Sequence, residues 1–211
     1  MRGGAPGGAL AAARERVAEG LEPVGRRLVE AGMPTPEWSG QLIRPLVGWA
    51  AAGRPAADGG GRVWEALAAV QLAHEASLLH DDVIDGAGTR RGEPTVAAAR
   101  GVAAALVEGD HLLTTSYRLA ARTGSLEWAD LFARAVERTV AGEKAQARAA
   151  GRPLDWAEYE AIVLGKSGEL LGAALAAGPM LRGDWRAQRV FEAGRRLGLV
   201  YQMLDDLLDY C

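Results

Sequence analysis

Residues 78–95 read LLHDDVIDGAGTRRGEPT, an apolar run that carries three aspartates and is followed by two adjacent arginines. Residues 201–210, YQMLDDLLDY, repeat the aspartate spacing near the end of the chain. Carboxylates are costly to bury unless a cation or hydrogen bonds compensate them. The two segments therefore predict apolar helices that together carry a cation-dependent site.

Composition narrows the class of protein. The 211 residues are 49% hydrophobic, which is enough for one core, so we expect a single domain over 1–211 with residues 1–8 as a loose tail. A net charge of -3 gives no sign of a nucleic-acid binder. The lone cysteine, Cys211, excludes an intrachain disulfide and fits a cytoplasmic location. We expect no membrane span, since apolar runs are broken by charges.

The pattern along the chain predicts an all-α protein. Alanine and leucine dominate, β-branched residues are sparse, and no strand alternation is visible. Gly86 should end the third helix, and Gly178-Pro179 should separate two later ones. The predicted helices are 9–31, 40–53, 61–85, 95–121, 125–150, 155–177 and 184–210.

Each aspartate motif presents carboxylates side by side on a helix. Residues at i and i+4 share a face, and each motif adds a third aspartate beside such a pair. These are Asp81, Asp85 and Asp82 in the first motif, and Asp205, Asp209 and Asp206 in the second. Mg²⁺ prefers such oxygen ligands and often shares them with a substrate phosphate. A solvated acidic face is the alternative, which the apolar flanks and the repetition of the motif disfavour.

The arginine pair extends this interpretation. Arg90 and Arg91 follow the first motif through a glycine-containing loop, and guanidinium groups bind phosphate through paired hydrogen bonds. Together with the aspartates, they predict a site for a metal-chelated diphosphate. The alternative is that the arginines only pair with Glu93 or Asp82 at the surface.

With the aspartates and arginines considered together, the two segments resemble the two aspartate-rich regions of the trans-type polyprenyl diphosphate synthases. Order, spacing and the Arg-Arg-Gly all match, and the resemblance runs from about residue 40 to the last residue. It implies an all-α, isoprenoid-synthase-type bundle around a central cavity, usually a homodimer. It also implies a reaction with three Mg²⁺ ions, in which isopentenyl diphosphate extends an allylic diphosphate. The chain stops soon after the second motif, where the family continues, so the C-terminal helices are expected to be missing from a truncated or naturally short chain.

The resemblance assigns roles to particular residues. As metal ligands it implies Asp81, Asp85 and Asp205, and as the whole catalytic set these three with Asp82, Arg90, Lys166, Asp206 and Asp209. For the allylic diphosphate it implies Arg90, Lys166 and Ser167, and for isopentenyl diphosphate Arg44, His74 and Arg91. Two glutamines complete the substrate-binding set: Gln146 matches one that lines the pocket, and Gln202 matches the one just ahead of the second motif. Gln41 stands where the family has a lysine for isopentenyl diphosphate, which puts the strength of that contact in doubt.

Product length follows from the residues one to two turns before the first motif. In the family, bulky residues there stop chain growth early. Ala73, Ala76 and Ser77 occupy these positions and are small, so we expect a geranylgeranyl or longer product.

Two other functions stay open. A class I terpene synthase would ionise an allylic diphosphate without isopentenyl diphosphate, and would have no use for His74 and Arg91. A non-catalytic subunit of a heteromeric synthase typically lacks some aspartates, whereas this chain keeps all six.

Overall fold

A computed structural model describes residues 6–32, 38, 42–55 and 61–208. The elements, in chain order, are α1 (Pro6–Glu30), α2 (Ile43–Ala51), α3 (Arg62–Ile84), β1 (Thr89–Arg90), β2 (Glu93–Pro94), α4 (Val96–Arg100), α5 (Val102–Arg122), α6 (Leu126–Ala149), α7 (Trp156–Val163), a π-helical segment (Leu164–Gly168), α8 (Glu169–Leu181) and α9 (Ala187–Leu208). The predicted all-α architecture is confirmed.

Helices α3 and α8 form the centre of the bundle. Both are apolar on nearly every face over much of their length, which is the pattern of a helix enclosed by others. α3 packs against α1, α2, α5 and α8, while α8 also contacts α2, α6 and α9. Trp64, Trp128 and Phe132 are almost completely buried around them. The first aspartate motif therefore ends a core helix rather than a surface helix.

Several predicted boundaries were wrong in an informative way. Residues 89–94 form a short antiparallel strand pair, which the apolar pattern did not show. The predicted helix 95–121 is interrupted at Gly101, where a φ of 93° suits glycine and splits α4 from α5. The predicted helix at 155–177 continues to Leu181, with Pro179 inside it.

Gly178 has a packing role instead of ending a helix. A Cβ there would lie 2.6 Å from Ala52 Cα, so the glycine lets α8 pass close to the end of α2. Other bounds differ by a few residues: α1 begins at Pro6, inside the predicted tail 1–8, α2 begins at Ile43, and α9 covers Ala187–Leu208.

Among the described residues, one helical run, Trp156–Leu181, is long and apolar enough to cross a membrane. Of its most apolar window, 72% is buried inside the protein. The run contacts α2, α3, α6 and α9, as the core helix of a bundle does.

Candidate active site

A cavity of about 800 Å³ lies between α2, α3, α5, the π-helical segment, α8 and α9. Eight of the residues predicted for the site line it: Arg44, His74, Asp82, Arg90, Arg91, Ser167, Gln202 and Asp205. They come from segments far apart in sequence, so the fold brings together what the motifs predicted. Cations and carboxylates meet here around a space large enough for a substrate.

The three aspartates of the first motif point in different directions. Asp82 is buried and accepts hydrogen bonds from Arg90 Nε at 2.9 Å and Nη2 at 2.8 Å. Pairing of Arg90 with Asp82, the alternative considered above, therefore occurs, but at the cavity wall. Asp81 faces a second cavity instead, and Asp85 is exposed at the end of α3.

The strand pair positions the two arginines. It closes through a two-residue turn in which Arg91 has a φ of 54° and Gly92 a φ of 86°, the conformation that short hairpins favour. Thr95 fixes the loop from the other side, since its hydroxyl donates to Ala87 O at 2.8 Å and caps α4. Arg91 thus holds a backbone conformation that costs a non-glycine residue energy, which is typical of functional loops.

Lys166 lies in a compact charge cluster beside the first motif. Its Nζ is 3.0 Å from a Glu143 carboxylate oxygen and 4.0 Å from Asp81 Oδ2. Burial, followed by repulsion from Glu143, raises the pKa of Asp81 to about 6. One lysine therefore faces two carboxylates, so the cluster carries more negative than positive charge. The sequence analysis missed Glu143.

Two glycines allow this cluster to form. A Cβ on Gly142 would lie 2.7 Å from Lys166 N, and one on Gly165 would lie 3.1 Å from Gly142 Cα. The π-helical segment therefore approaches the α6 backbone directly and places Lys166 next to Glu143. Insertions of this kind in a helix are frequent at functional sites.

The second motif is held from behind by hydrogen bonds. Asp205 lines the cavity, whereas Asp206 accepts from Tyr159 OH at 2.6 Å and from Gln202 Nε2 at 2.8 Å. Ser167 Oγ in turn donates to Gln202 Oε1 at 2.8 Å. Tyr159 was not predicted, and only its place ahead of the Lys-Ser pair hints at it. Asp209, predicted as a member of the catalytic set, lies outside the described residues.

Cationic side chains also line this cavity, and Arg44 among them has a hydrogen-bond donor that is not used within the described residues. Burial lowers the pKa of Arg44 to about 10, and its buried Nε has no hydrogen-bond partner within the described part of the chain. Burial, with help from Arg44, Arg91 and Arg90, lowers the pKa of His74 well below its usual range, so His74 is neutral near pH 7. A buried guanidinium with an unused donor fits an anionic ligand.

Two further residues were predicted to contact substrate. Gln41 lies outside the described residues. Gln146 is exposed on α6 and lies outside the lining of both cavities described here.

A second, smaller cavity of about 140 Å³ lies between α3, α5, α6 and α8. All three predicted chain-length residues, Ala73, Ala76 and Ser77, line it. Its other walls are mostly apolar, and Asp81 and Glu143 lie at one end. The cavity therefore offers an apolar compartment next to the charged cluster.

The chain resembles known proteins in both sequence and fold. The sequence matches the Polyprenyl synthetase family over residues 27–211. The chain belongs to this family. It is 33% identical over 174 residues to octaprenyl diphosphate synthase of Escherichia coli, covering 81% of this chain and 54% of the relative. It is 35% identical over 182 residues to geranylgeranyl diphosphate synthase of Mycobacterium tuberculosis, covering 81% and 50%.

Solved structures of polyprenyl synthetase family proteins share the fold. The chain superposes on a polyprenyl synthetase from Streptomyces coelicolor with a TM-score of 0.79 and 28% identity, covering 94% of this chain and 66% of the other. For a polyprenyl synthase from Caulobacter crescentus, complexed with calcium and isoprenyl diphosphate, the TM-score is 0.75 at 30% identity, with 96% and 62% covered. The chain spans about half the length of the curated relatives given above.

The polyprenyl synthetase family implies Mg²⁺, and the donor set fits it. Asp81, Asp85 and Asp205 offer carboxylate oxygens, and the Asp81 cluster carries more negative than positive charge. Within the described residues, no three metal-binding side chains converge into one ready-made cluster.

Proposed function

We propose that this chain catalyses the Mg²⁺-dependent condensation of isopentenyl diphosphate with an allylic diphosphate, giving a polyprenyl diphosphate. The observation that carries the proposal is the pairing of two compartments across α3. One compartment is a polar cavity lined by Asp205 and by Arg44, whose buried Nε has no hydrogen-bond partner among the described residues. The other is an apolar cavity whose lining includes Asp81. A substrate with a diphosphate head and a hydrocarbon tail matches this division.

In this proposal Asp81, Asp85 and Asp205 hold Mg²⁺, and three ions are expected from the resemblance. When bound, the metal neutralises charge on the departing diphosphate. Arg90 and Lys166 share this task through their own positive charges, with Ser167 as a hydroxyl partner. The binding of metal and diphosphate would release Lys166 from Glu143 and Asp81, its present partners.

The remaining steps use the two cavity walls. The allylic C–O bond breaks with its electron pair leaving on the diphosphate, and the apolar surroundings keep water from the cation. Arg44, His74 and Arg91 hold isopentenyl diphosphate so that its double bond forms the new C–C bond. A proton then leaves the adduct, and the released diphosphate is a suitable acceptor.

We propose that the product is geranylgeranyl diphosphate or longer. Ala73 and Ala76 lack bulk, and Ser77 adds only a hydroxyl, which donates to His74 O at 2.8 Å. The relatives are named as octaprenyl, nonaprenyl and geranylgeranyl diphosphate synthases, which supports a long product.

We also propose a homodimer in the cytoplasm. Exposed Val102, Leu106 and Val107 on α5 support a second copy as partner, because apolar side chains gain stability when covered. The lone cysteine, Cys211, supports the location, because few cysteines fit a reducing compartment.

The decisive experiment combines MgCl₂ with geranyl or farnesyl diphosphate, with and without isopentenyl diphosphate, followed by mass analysis of products. Longer prenyl diphosphates that require isopentenyl diphosphate would support the proposal. Hydrocarbons or alcohols formed without it would instead indicate a terpene synthase. Asp205→Ala should abolish turnover, while Asp130→Ala, which removes an exposed carboxylate paired with Arg134, should not. No turnover by the unmodified chain would contradict the proposal.

A further inference from the structure

A continuous hydrogen-bond chain links the cavity edge to helix α7. It runs from Ser167 Oγ to Gln202, from Gln202 to Asp206, and ends at Tyr159 OH. Its three distances are 2.8, 2.8 and 2.6 Å. Ser167, Gln202 and the neighbouring Asp205 line the cavity, whereas Tyr159 and Asp206 are not part of its lining. The proposed function assigns no role to Tyr159.

We infer that Tyr159 is a positioning residue for the diphosphate-facing edge of the cavity, acting through Asp206. This inference rests on the proposed function, which it deepens. Tyr159 holds Asp206, and Asp206 holds Gln202 and thereby Ser167.

The donor and acceptor chemistry gives the chain one direction. An ionised carboxylate only accepts hydrogen bonds, so Asp206 requires the NH₂ of Gln202 on its side. The amide oxygen of Gln202 must then face Ser167, whose hydroxyl donates to it. Without the hydrogen bond from Tyr159, the Asp206 carboxylate could rotate. The Gln202 amide and the Ser167 hydroxyl would then lose their fixed orientations.

Asp206 and Asp205 are neighbours on α9, so fixing one constrains the other. Asp206 accepts a hydrogen bond from the Tyr159 hydroxyl on α7. On a helix its side chain is rotated by about a third of a turn from that of Asp205. Asp205 is then the carboxylate of this pair that faces the cavity. The network therefore separates a carboxylate available to metal from one used for support.

Tyr159 is well suited to this role because its own position is fixed. α7 begins with a reciprocal capping box, in which Asp155 accepts from Glu158 N and Glu158 accepts from Asp155 N. Arg152 adds two hydrogen bonds to Glu158, at 3.0 and 2.8 Å. Burial, together with Asp206, raises the pKa of Tyr159 to about 12, so its hydroxyl stays a donor at any working pH.

The test is Tyr159→Phe, which keeps the ring beside Trp156 and removes only the hydroxyl. Titration calorimetry with inorganic diphosphate in excess MgCl₂ measures binding without turnover. Tyr159→Phe removes a hydrogen bond to a charged carboxylate, and such a bond stabilises the native arrangement strongly. We therefore expect the affinity for inorganic diphosphate with Mg²⁺ to weaken roughly tenfold. The Mg²⁺ concentration for half-maximal binding should rise as well. Tyr117→Phe is the matched control, since Tyr117 lies on α5 outside the lining of both cavities.

A double-mutant cycle distinguishes positioning from general stabilisation. Asp206→Ala should weaken binding about as much as Tyr159→Phe, and the combined variant should be no weaker than Asp206→Ala alone. Additive losses, or a Tyr159→Phe protein that binds like the unmodified chain, would overturn the inference. Thermal unfolding of each variant checks that the native state persists.

The outcome is separable from that of the proposed function. If the unmodified chain binds Mg²⁺–diphosphate but makes no longer prenyl diphosphate, the proposed reaction fails while the cycle still tests Tyr159. If the chain elongates its substrate and the cycle is additive, the reaction stands and the role of Tyr159 is refuted.

Discussion

Gly198→Ala is the substitution by which the close contact between α9 and the π-helical segment can be tested most sharply. A Cβ on Gly198 would lie 2.6 Å from Gly168 Cα and 2.8 Å from Ser167 O. Both are backbone atoms, so no flexible side chain can move aside. Ordinary Cβ contacts begin near 3.4 Å, so α9 must shift by about 0.8 Å to accept one methyl group.

Such a shift has a calculable effect on the site. If α9 moves directly away, the hydrogen bond from Ser167 Oγ to Gln202 Oε1 lengthens from 2.8 Å to about 3.6 Å, which is no longer a hydrogen bond. A displacement of about 1 Å at a catalytic group can lower turnover by about 100-fold. The stability change is smaller, because overpacking costs roughly 1–3 kcal/mol and replacing a helical glycine with alanine offsets about 1 kcal/mol of that.

The assay pairs kcat/KM for chain elongation with urea unfolding of the same preparation. We expect a loss of about 100-fold in kcat/KM with a net stability loss of at most about 2 kcal/mol. Gly8→Ala is the matched control, since Gly8 is also helical but has nothing within 4 Å of an added Cβ. It should leave turnover unchanged. A Gly198→Ala protein with ordinary turnover would refute the idea that this contact sets the site geometry.

Three further perturbations test other parts of the molecule. Glu169→Ala should lower the free energy of unfolding by about 3 kcal/mol, because it leaves Arg195, 2.7 Å away, without its buried partner. The control Glu192→Ala removes a more exposed partner of Arg195 and should cost under about 1 kcal/mol by urea unfolding. Equal losses in the two variants would contradict the larger contribution of the buried ion pair. The pKa of His74 is lowered by folding, so its contribution to stability is present above pH 6.5 and is lost as pH falls below it. The unfolding free energy should therefore drop by up to about 1.4 kcal/mol more in the unmodified protein than in His74→Gln between about pH 7.5 and pH 5.5, and matching pH profiles would argue against a neutral His74. Ser77→Phe should shorten the prenyl product, seen by mass analysis, because the ring fills the apolar cavity; an unchanged product length would exclude that cavity as the tail compartment.

The sequence predicted the elements of this protein better than their contacts. Two aspartate motifs in apolar helices, with arginines after the first, were enough to predict an all-α bundle with a polar cavity. The sequence could not predict the direction of each aspartate, since Asp81, Asp82 and Asp85 lie within five residues yet face different surroundings. Spacing along a helix predicts which side chains share a face. Hydrogen-bond partners from other segments, however, determine the orientation of each aspartate carboxylate. Arg90 is such a partner for Asp82.

Glycine has two structural roles in this protein, and the sequence alone predicted only one of them. In the sequence it signals a turn, and Gly86 and Gly101 behave that way with positive φ. Inside helices it marks close approach: Gly168 faces Gly198, and Gly172 faces Gly194, where a Cβ would lie 2.7 Å from Gly172 Cα. A local pattern cannot separate these uses, because the second depends on a helix far along the chain.

These glycine contacts also explain why the two motifs can act together. The π-helical segment carries Lys166 toward α3 and Ser167 toward α9, so one short insertion touches both aspartate motifs. It can do so only because glycines let its backbone lie against α6 on one side and α9 on the other. In the proposed function the aspartates bind the metal and the diphosphate, whereas the glycines determine how closely the two halves of the site approach. Substitutions at either set should impair diphosphate binding, but only those at the glycines should do so by moving helices.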